Sequence, residues 1–386
     1  MRIAVIGAGI VGVTTAYELA VDGHEVVVLE AASQVATGTS FANAGVVAPG
    51  YVTPWAAPGM PMKVLKGLLN RHRAVRLGWG ALGALPWLWR FWRACRAGVY
   101  GPHRAALYRL AAYSQQRLRA LETQLDLQYE QAPGYLVLLR SPKDLALTRP
   151  GLSVLQELGV AHQVVDAAAA RRLEPGLHTD TPLHAAVHLP EDSVGNCRQF
   201  AHLLKAHAQA LGVQFRFATT VSRLGPGRPV QVLSQTPEGP KDERYDAVVV
   251  CAGLASAELL KPLGLRVPLL AVHGYSLTVP VRDTGLAPAA PRAGLMDERY
   301  KVAITRLGQR IRVAGSAELG VAVDRMTPDA LQTLYKVLDD WFPGCADLSK
   351  PQHWKGARPM LPDGPPAVGD SGLEGVWLNL GQGSSG

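Results

Sequence analysis

The stretch IAVIGAGIVGVTTAYELAVDGHEVVVLE, from Ile3 to Glu30, decides how the rest of the chain is read. Ile3 to Ile6 is a short unbroken apolar run, the pattern of a strand covered on both faces in a parallel sheet. Gly7-Ala8-Gly9-Ile10-Val11-Gly12 follows at once. From Ile10 to Ala20 apolar and small residues recur at helical spacing, and Gly23 sits where a left-handed helix cap belongs. Glu25 to Glu30 then reads as a second buried strand. Each position has a physical task. Gly7 permits the tight turn, Gly9 lets backbone approach a pyrophosphate at the helix N-terminus, and Gly12 and Ala16 let the helix pack close to the sheet. Glu30 ends the second strand, where a carboxylate accepts hydrogen bonds from an adenosine ribose. A bare glycine turn can be purely structural. With strand, helix and distal acid in register, the unit is expected to bind a dinucleotide, and an acid at position 30 argues against the 2′-phosphate of NADP. FAD and NAD both fit this motif.

The chain has 386 residues, 48% of them hydrophobic, enough for two or three domains with a substantial core. Cys95, Cys197, Cys251 and Cys345 are widely spaced, with no CxxC pair and no His at zinc-ligand spacing, so they read as buried free thiols in a reducing compartment, and no metal site is expected. Gly7, Gly9, Gly12 and the stretch from Glu18 to Glu25 argue against a secretory signal at the start. The longest apolar run, Leu77 to Trp89, contains Pro86 and is too short to span a bilayer.

Further along, helices are expected between Lys63 and Leu125, broken at Pro86, Gly98 and Gly101-Pro102, and over Asn196 to Leu211 and Asp329 to Trp341. Strands are expected over Tyr135 to Arg140, His184 to Leu189, Ala247 to Cys251, Val267 to Val281, Lys301 to Thr305, Arg310 to Gly315 and Val376 to Leu380. A meander is expected between Val213 and Val250. Parallel-type strands at the start and antiparallel ones in the middle point to two interleaved domains.

GTSFANAG from Gly38 to Gly45 and PGYVTPWAAPG from Pro49 to Gly59 are followed by MDERYKVAITRLGQRIRVAG from Met296 to Gly315. GARPMLPDGPPAVG then runs from Gly356 to Gly369, and WLNLGQGSSG from Trp377 to Gly386. In order and spacing these segments resemble the FAD-dependent D-amino acid dehydrogenase small subunit, within the wider D-amino acid oxidase and glycine oxidase superfamily. The resemblance covers essentially the whole chain and selects FAD over NAD. It implies an α/β plus α+β fold: a discontinuous Rossmann-type FAD-binding domain over 1–50, 190–266 and 354–386, and an inserted mixed antiparallel-sheet substrate domain over 51–189 and 267–353. It also implies flavin contacts from Ile3, Ala8, Ile10, Val11 and Ala31 beside the glycines and Glu30, from Thr39, Ser40, Ala44 and Gly45 in a second loop, and from Val221, Cys251, Ala252, Gly253, Gly381 and Gly383. Arg358 matches the arginine that binds the substrate carboxylate, a task suited to a planar, bidentate guanidinium. Tyr51 and Tyr300 resemble tyrosines that close the pocket, and His273 reads as structural.

The implied reaction oxidises a D-amino acid to an imino acid, which hydrolyses to the 2-oxo acid and ammonia, with hydride passing from Cα to flavin N5 and electrons onward to a quinone or similar acceptor. Alternatives are an oxygen-using oxidase of the same superfamily and a noncatalytic FAD-binding protein. The family continues beyond the position of Gly386 into a helix facing the flavin pyrimidine, so a chain ending there is expected to hold FAD weakly.

The formal charge is +8. Between Glu30 and Glu122 there is no acidic residue, while Lys63, Lys66, Arg71, Arg73, Arg76, Arg90, Arg93, Arg96, Arg104, Arg109, Arg117 and Arg119 all lie there, so the remainder is net acidic. Trp79, Trp87, Trp89 and Trp92 fall in the same segment. Tryptophan interleaved with arginine suits an interfacial segment on an anionic membrane surface, over 63–121. Together with the resembled family's delivery of electrons to the membrane respiratory chain, this implies a peripheral position on the cytoplasmic side of the inner membrane, and otherwise a cytoplasmic one. The plainer reading is a helix pair whose arginines are merely solvated. No nucleic-acid recognition motif accompanies the charge.

Overall fold

A computed structural model describes residues 1–67, 74–282 and 290–384 of the chain. Strand Arg2–Ile6, helix Ile10–Val21 and strand Glu25–Leu29 form the expected unit. It lies at the middle of a six-stranded sheet in the order Ala367–Asp370, Val376–Leu380, Ala247–Val250, Arg2–Ile6, Glu25–Leu29 and Gln214–Arg216. All pairs are parallel except the edge strand Ala367–Asp370. The near-continuous valines of its central strands follow from burial on both faces. Helix Cys197–Ala210 packs beside the motif helix, capped by the Asn196 side chain, which accepts from Gln199 N at 3.3 Å. The meander is present as strands Thr220–Gly225, Val230–Thr236 and Gly239–Tyr245.

A second, mostly antiparallel sheet runs in the order Gln352–Met360, Leu270–Pro280, Arg310–Leu319, Val302–Leu307, Gly294–Asp297, Ala132–Leu139, Ala185–Val194 and Val46–Val47. One face carries Leu136, Leu138, Leu295 and Ile304 and buries them under helix Pro328–Trp341. The other face carries Tyr135, Val137, Met296 and Ala303 and lines the large cavity. Period-two alternation thus sorts residues one apart onto a core and a site.

Sheet membership moves three expected boundaries, one of them because strand Ala185–Val194 carries the second sheet past residue 190. Residue 354 falls inside strand Gln352–Met360, which belongs to the second sheet, so the return to the dinucleotide sheet comes only after Met360. Val46–Val47 pairs with Val194 and Ser193, so the crossing near residue 50 comes a few residues early. The expected break at Gly98 to Pro102 is absent, and helix Ala97–Leu125 runs through both. Pro102 forfeits one interior hydrogen bond, a cost outweighed by the burial of Arg104, Leu107 and Leu121 on the same helix. The break falls instead at Cys95, after helix Leu85–Ala94, and Pro86 sits in the first turn of that helix, where its missing N–H costs nothing. Helix Pro142–Glu157 was not anticipated. It opens on Ser141, whose hydroxyl accepts from Asp144 N at 3.3 Å.

Beneath the second sheet a buried charge cluster joins strand to helix. Asp297 accepts from Arg140 Nε at 2.7 Å and from Trp341 Nε1 at 2.7 Å, while Asp340 accepts from Arg140 Nη2 at 2.7 Å. Removing one member of such a group strands an uncompensated charge. Asp297→Ala is therefore expected to lower unfolding free energy by about 3–5 kcal/mol, read by urea denaturation. An Arg140→Met/Asp297→Leu double variant should recover most of that loss, and equal loss in the two would contradict the assignment.

Candidate active site

A cavity of about 2760 Å³ runs between the two sheets. At one end stands the glycine motif. Gly7 has φ +100, and a Cβ there would lie 2.7 Å from Cys251 O. At Gly12 a Cβ would lie 1.8 Å from Gly7 O, so helix and turn pack at a distance only glycine allows. A Cβ at Gly9 meets nothing closer than Ser40 Oγ at 3.5 Å, and would instead point into the open space before the helix. The motif helix starts at Gly9 with no side chain capping it, and of its first amides Ile10 N donates to Ser40 Oγ at 3.0 Å. Glu30 is fixed by two backbone donors, Ala8 N at 2.5 Å and Ala32 N at 2.8 Å, leaving carboxylate lone pairs facing the cavity. A helix N-terminus whose one described side-chain acceptor is Ser40 Oγ, a space a Cβ would fill and an anchored carboxylate fit the pyrophosphate and ribose of FAD.

The loop from Thr37 to Gly45 forms the cavity's side wall and is tied down at both ends. Thr39 Oγ1 donates to Ala357 O at 2.6 Å. Ser276 Oγ donates to Ala42 O at 2.8 Å, Arg312 Nη1 to Asn43 O at 3.1 Å, and Thr305 Oγ1 to Ala44 O at 2.8 Å. Gly45 has φ +69, and a Cβ there would strike Gly195 O at 2.4 Å. Cys251, Ala252, Gly253 and Val221 line the cavity from the other side, as do Ala31, Ile10, Val11 and Gly383.

Four expected cofactor residues act at one remove. Ile3 is buried inside the first strand, Ala8 and Gly12 support the turn from behind, and none of them lines the cavity. Gly381, at φ +81, packs against Leu361 and is likewise outside the lining.

Arg358 projects into the cavity from strand Gln352–Met360 and makes its one described hydrogen bond from Nη1 to Ser316 O at 3.2 Å. Among the described residues no carboxylate pairs with it, and burial lowers its pKa to about 10, still cationic at neutral pH. Its guanidinium lies over Gly274, where a Cβ would come 2.3 Å from Nη2. Trp55 flanks it, its ring centre 5.9 Å from Cζ. The adjoining wall is built from Ala303, Ala314, Gly315 and Ser316, small side chains that leave room for a ligand.

Tyr51 also lines the cavity, but its hydroxyl is engaged. It donates to Glu298 Oε2 at 2.7 Å and accepts from Lys301 Nζ at 3.0 Å, and burial, then Glu298, holds the phenol protonated. Tyr300 is not brought into the site. Its ring lies over Arg140, 5.0 Å away, on the helix-covered face of the sheet, because the turn after Asp297 places it opposite to Glu298 and Lys301. His273 is buried on the strand next to Arg358, its pKa lowered by burial and by the Lys355 charge, in keeping with a structural role. Sequence reading missed Gly274, Glu298 and Lys301. Glu298 and Lys301 lie inside the quoted MDERYK segment, whereas Gly274 becomes meaningful only once its strand is paired with that of Arg358.

The fold and the site together define a dinucleotide-binding oxidoreductase with a cationic ligand pocket. Residues 2–386 match the family described as "DAO: FAD dependent oxidoreductase", and the chain belongs to that family, with FAD as its cofactor. It is 40% identical over 398 residues to D-amino acid dehydrogenase of Rhodopseudomonas palustris (strain HaA2), covering 100% of this chain and 90% of that protein. It is 42% identical over 391 residues to D-amino acid dehydrogenase of Cereibacter sphaeroides (strain ATCC 17029 / ATH 2.4.9), covering 100% and 88%. In fold it is similar to glycine oxidase from Geobacillus kaustophilus, at TM-score 0.76 and 18% identity over 100% of this chain and 90% of that one. L-proline dehydrogenase from P. horikoshii is similar at TM-score 0.70 and 17% identity over 100% and 88%.

If the clamped loop holds the cofactor, Ser276→Ala with Thr305→Val frees two buried carbonyls and is expected to raise the FAD dissociation constant at least about tenfold. Flavin fluorescence titration of apoprotein reads this, and unchanged affinity would show that the loop does not carry cofactor binding.

Proposed function

We propose that the protein oxidises D-amino acids to imino acids that hydrolyse to 2-oxo acids and ammonia. The observation that carries this reading is Arg358, a half-buried guanidinium without a carboxylate partner among the described residues, standing in the same cavity as the dinucleotide motif. The names of relatives about 40% identical over the whole chain support the substrate class. FAD, when bound, supplies the hydride acceptor, N5, for the substrate Cα–H. The protein's task is to bind and orient. Arg358 takes the carboxylate in a two-pronged hydrogen bond, Gly274 and Trp55 keep its plane fixed, and Ala303 and Ala314 leave space for the rest of the substrate. Tyr51, held protonated by Glu298, closes the wall without a proton to accept. No strong protein base is needed, because the substrate gives up its ammonium proton to solvent water as it enters a cationic, partly desolvated site.

Electrons then pass to a quinone or similar acceptor at the cytoplasmic face of the inner membrane, where the protein sits peripherally. Support comes from one face of the acid-free segment. Trp79 is 91% exposed, and Leu82, Leu85, Trp89 and Trp92 are exposed beside it. Arg90, Arg93 and Arg96 are exposed in the same turns. Large apolar side chains ringed by arginine are the chemistry of an interfacial anchor. Among the described residues no helix is long and apolar enough to cross a membrane. The patch is narrower than the expected 63–121. Arg76 and Arg104 are buried, Arg117 pairs with Glu18 at 2.7 Å and Arg119 bonds Glu191 O. Arg71 and Arg73, and the side chains of Lys63 and Lys66, lie outside the described residues.

Anaerobic mixing of the holoenzyme with D-alanine should bleach the flavin band, while L-alanine leaves it intact. No bleaching with any D-amino acid would refute the substrate class. Reoxidation by a soluble quinone analogue faster than by oxygen is expected, and the reverse order would make the protein an oxidase. At about 1 kcal/mol per basic residue, replacing Arg90, Arg93 and Arg96 with Gln should weaken binding to anionic vesicles roughly 100-fold. Unchanged sedimentation with vesicles would remove the membrane reading.

A further inference from the structure

A second concavity, of about 380 Å³, lies on the outer side of the loop that walls the main cavity. Its lining includes three guanidinium groups, Arg198, Arg310 and Arg312, and one carboxylate, Glu130. Glu130 is already engaged, since both its oxygens accept from Arg310 Nη2, at 3.0 and 2.7 Å, and Oε2 also accepts from Asn196 Nδ2 at 2.7 Å. Arg198 and Arg312 are left with no carboxylate partner among the described residues. Arg312 is only 4% exposed. It donates from Nε to Thr278 Oγ1 at 3.0 Å and from Nη1 to Asn43 O at 3.1 Å, and its Nη2 makes no described hydrogen bond. Arg198 Cζ lies over the Phe41 ring, 4.3 Å from its centre, and its buried Nε has no partner. The neighbouring Gln199 Oε1 is buried and unpartnered too.

A buried cation, Arg312, beside a second, half-exposed one, Arg198, on the same small hollow is costly unless an anion completes the pair. The cost shows in Arg312, whose pKa is lowered to about 10 by burial and then by the charge of Arg310. We propose that this hollow is a binding site for a small oxyanion, a carboxylate or a phosphate, held between Arg198 and Arg312. Its volume admits a small oxyanion together with water, and the Phe41 platform fixes Arg198 in advance, so little side-chain freedom is lost on binding. Gln199 Oε1 offers an acceptor to the O–H of a monohydrogen phosphate, which a fully ionised carboxylate lacks. Because Arg312 also holds Asn43 O, an occupant bears on the loop that faces FAD without entering the main cavity.

The test uses FAD-saturated enzyme carrying Arg358→Gln, which removes the main cavity's own carboxylate-binding group. It is titrated calorimetrically with inorganic phosphate and, separately, with acetate. Saturable binding near one equivalent is expected for at least one of them, weakened about tenfold or more by Arg198→Gln and by Gln352→Glu, which places a negative charge at the rim. Binding of phosphate alone assigns a phosphate site, and binding of acetate assigns a carboxylate site. Circular dichroism of both variants should match the parent, since Arg198 is partly and Gln352 largely exposed. Absence of saturable binding by either anion, or binding that survives both substitutions, would overturn the proposal.

Discussion

Three consecutive carbonyls, those of Ala42, Asn43 and Ala44, are gripped by Ser276, Arg312 and Thr305 from three neighbouring strands of the second sheet. Two residues earlier, Ser40 accepts from the first amide of the motif helix, which follows directly on a central strand of the other sheet. This one loop therefore fixes the distance between the dinucleotide turn and the wall that carries Arg358. Each hydrogen bond contributes about 1 kcal/mol. Their joint effect is geometric: the loop cannot slide along either sheet without leaving several buried polar groups unpaired at once. Gly45 and Gly195 meet at its end in a contact too close for any side chain.

The same loop separates two cationic pockets of different kinds. Inside, Arg358 faces a space walled by small residues and has no carboxylate partner among the described residues. Outside, Arg312 spends part of its guanidinium on Thr278 and Asn43 and shares the lining of the hollow with Arg198. Neither cation is neutralised by the protein, in contrast to Arg140 beneath the sheet, which is satisfied by Asp297 and Asp340. That contrast separates positive charge kept for ligands from positive charge kept for folding.

Much of this was legible in the sequence where local pattern decides structure. Ile3 to Glu30 announces its strand, turn and helix because every constraint on those residues is local. Arg358 was legible through its motif. The cradle beneath it was not, because Gly274 is about eighty residues away and matters only through strand pairing. Tyr300 was misplaced because it follows the strand Gly294–Asp297, and in a turn the alternation that sorts cavity from core no longer applies. The basic segment misled for a related reason. Charge was counted along the chain, but folding buries Arg76 and Arg104, pairs Arg117, and leaves the exposed patch between Trp79 and Arg96. The helix through Pro102 was hidden by a residue whose local cost tertiary packing outweighs.

The central claim is that one cavity holds FAD at the glycine turn and a substrate carboxylate at Arg358 as separable tasks. Replacing Arg358 with Leu and following flavin reduction by D-alanine under anaerobic stopped flow tests it most directly. Losing a charge-assisted two-pronged bond of about 3 kcal/mol should raise the apparent substrate dissociation constant roughly 100-fold, with FAD affinity and the flavin spectrum unchanged. An unaltered substrate dependence, or loss of FAD together with substrate binding, would contradict the account.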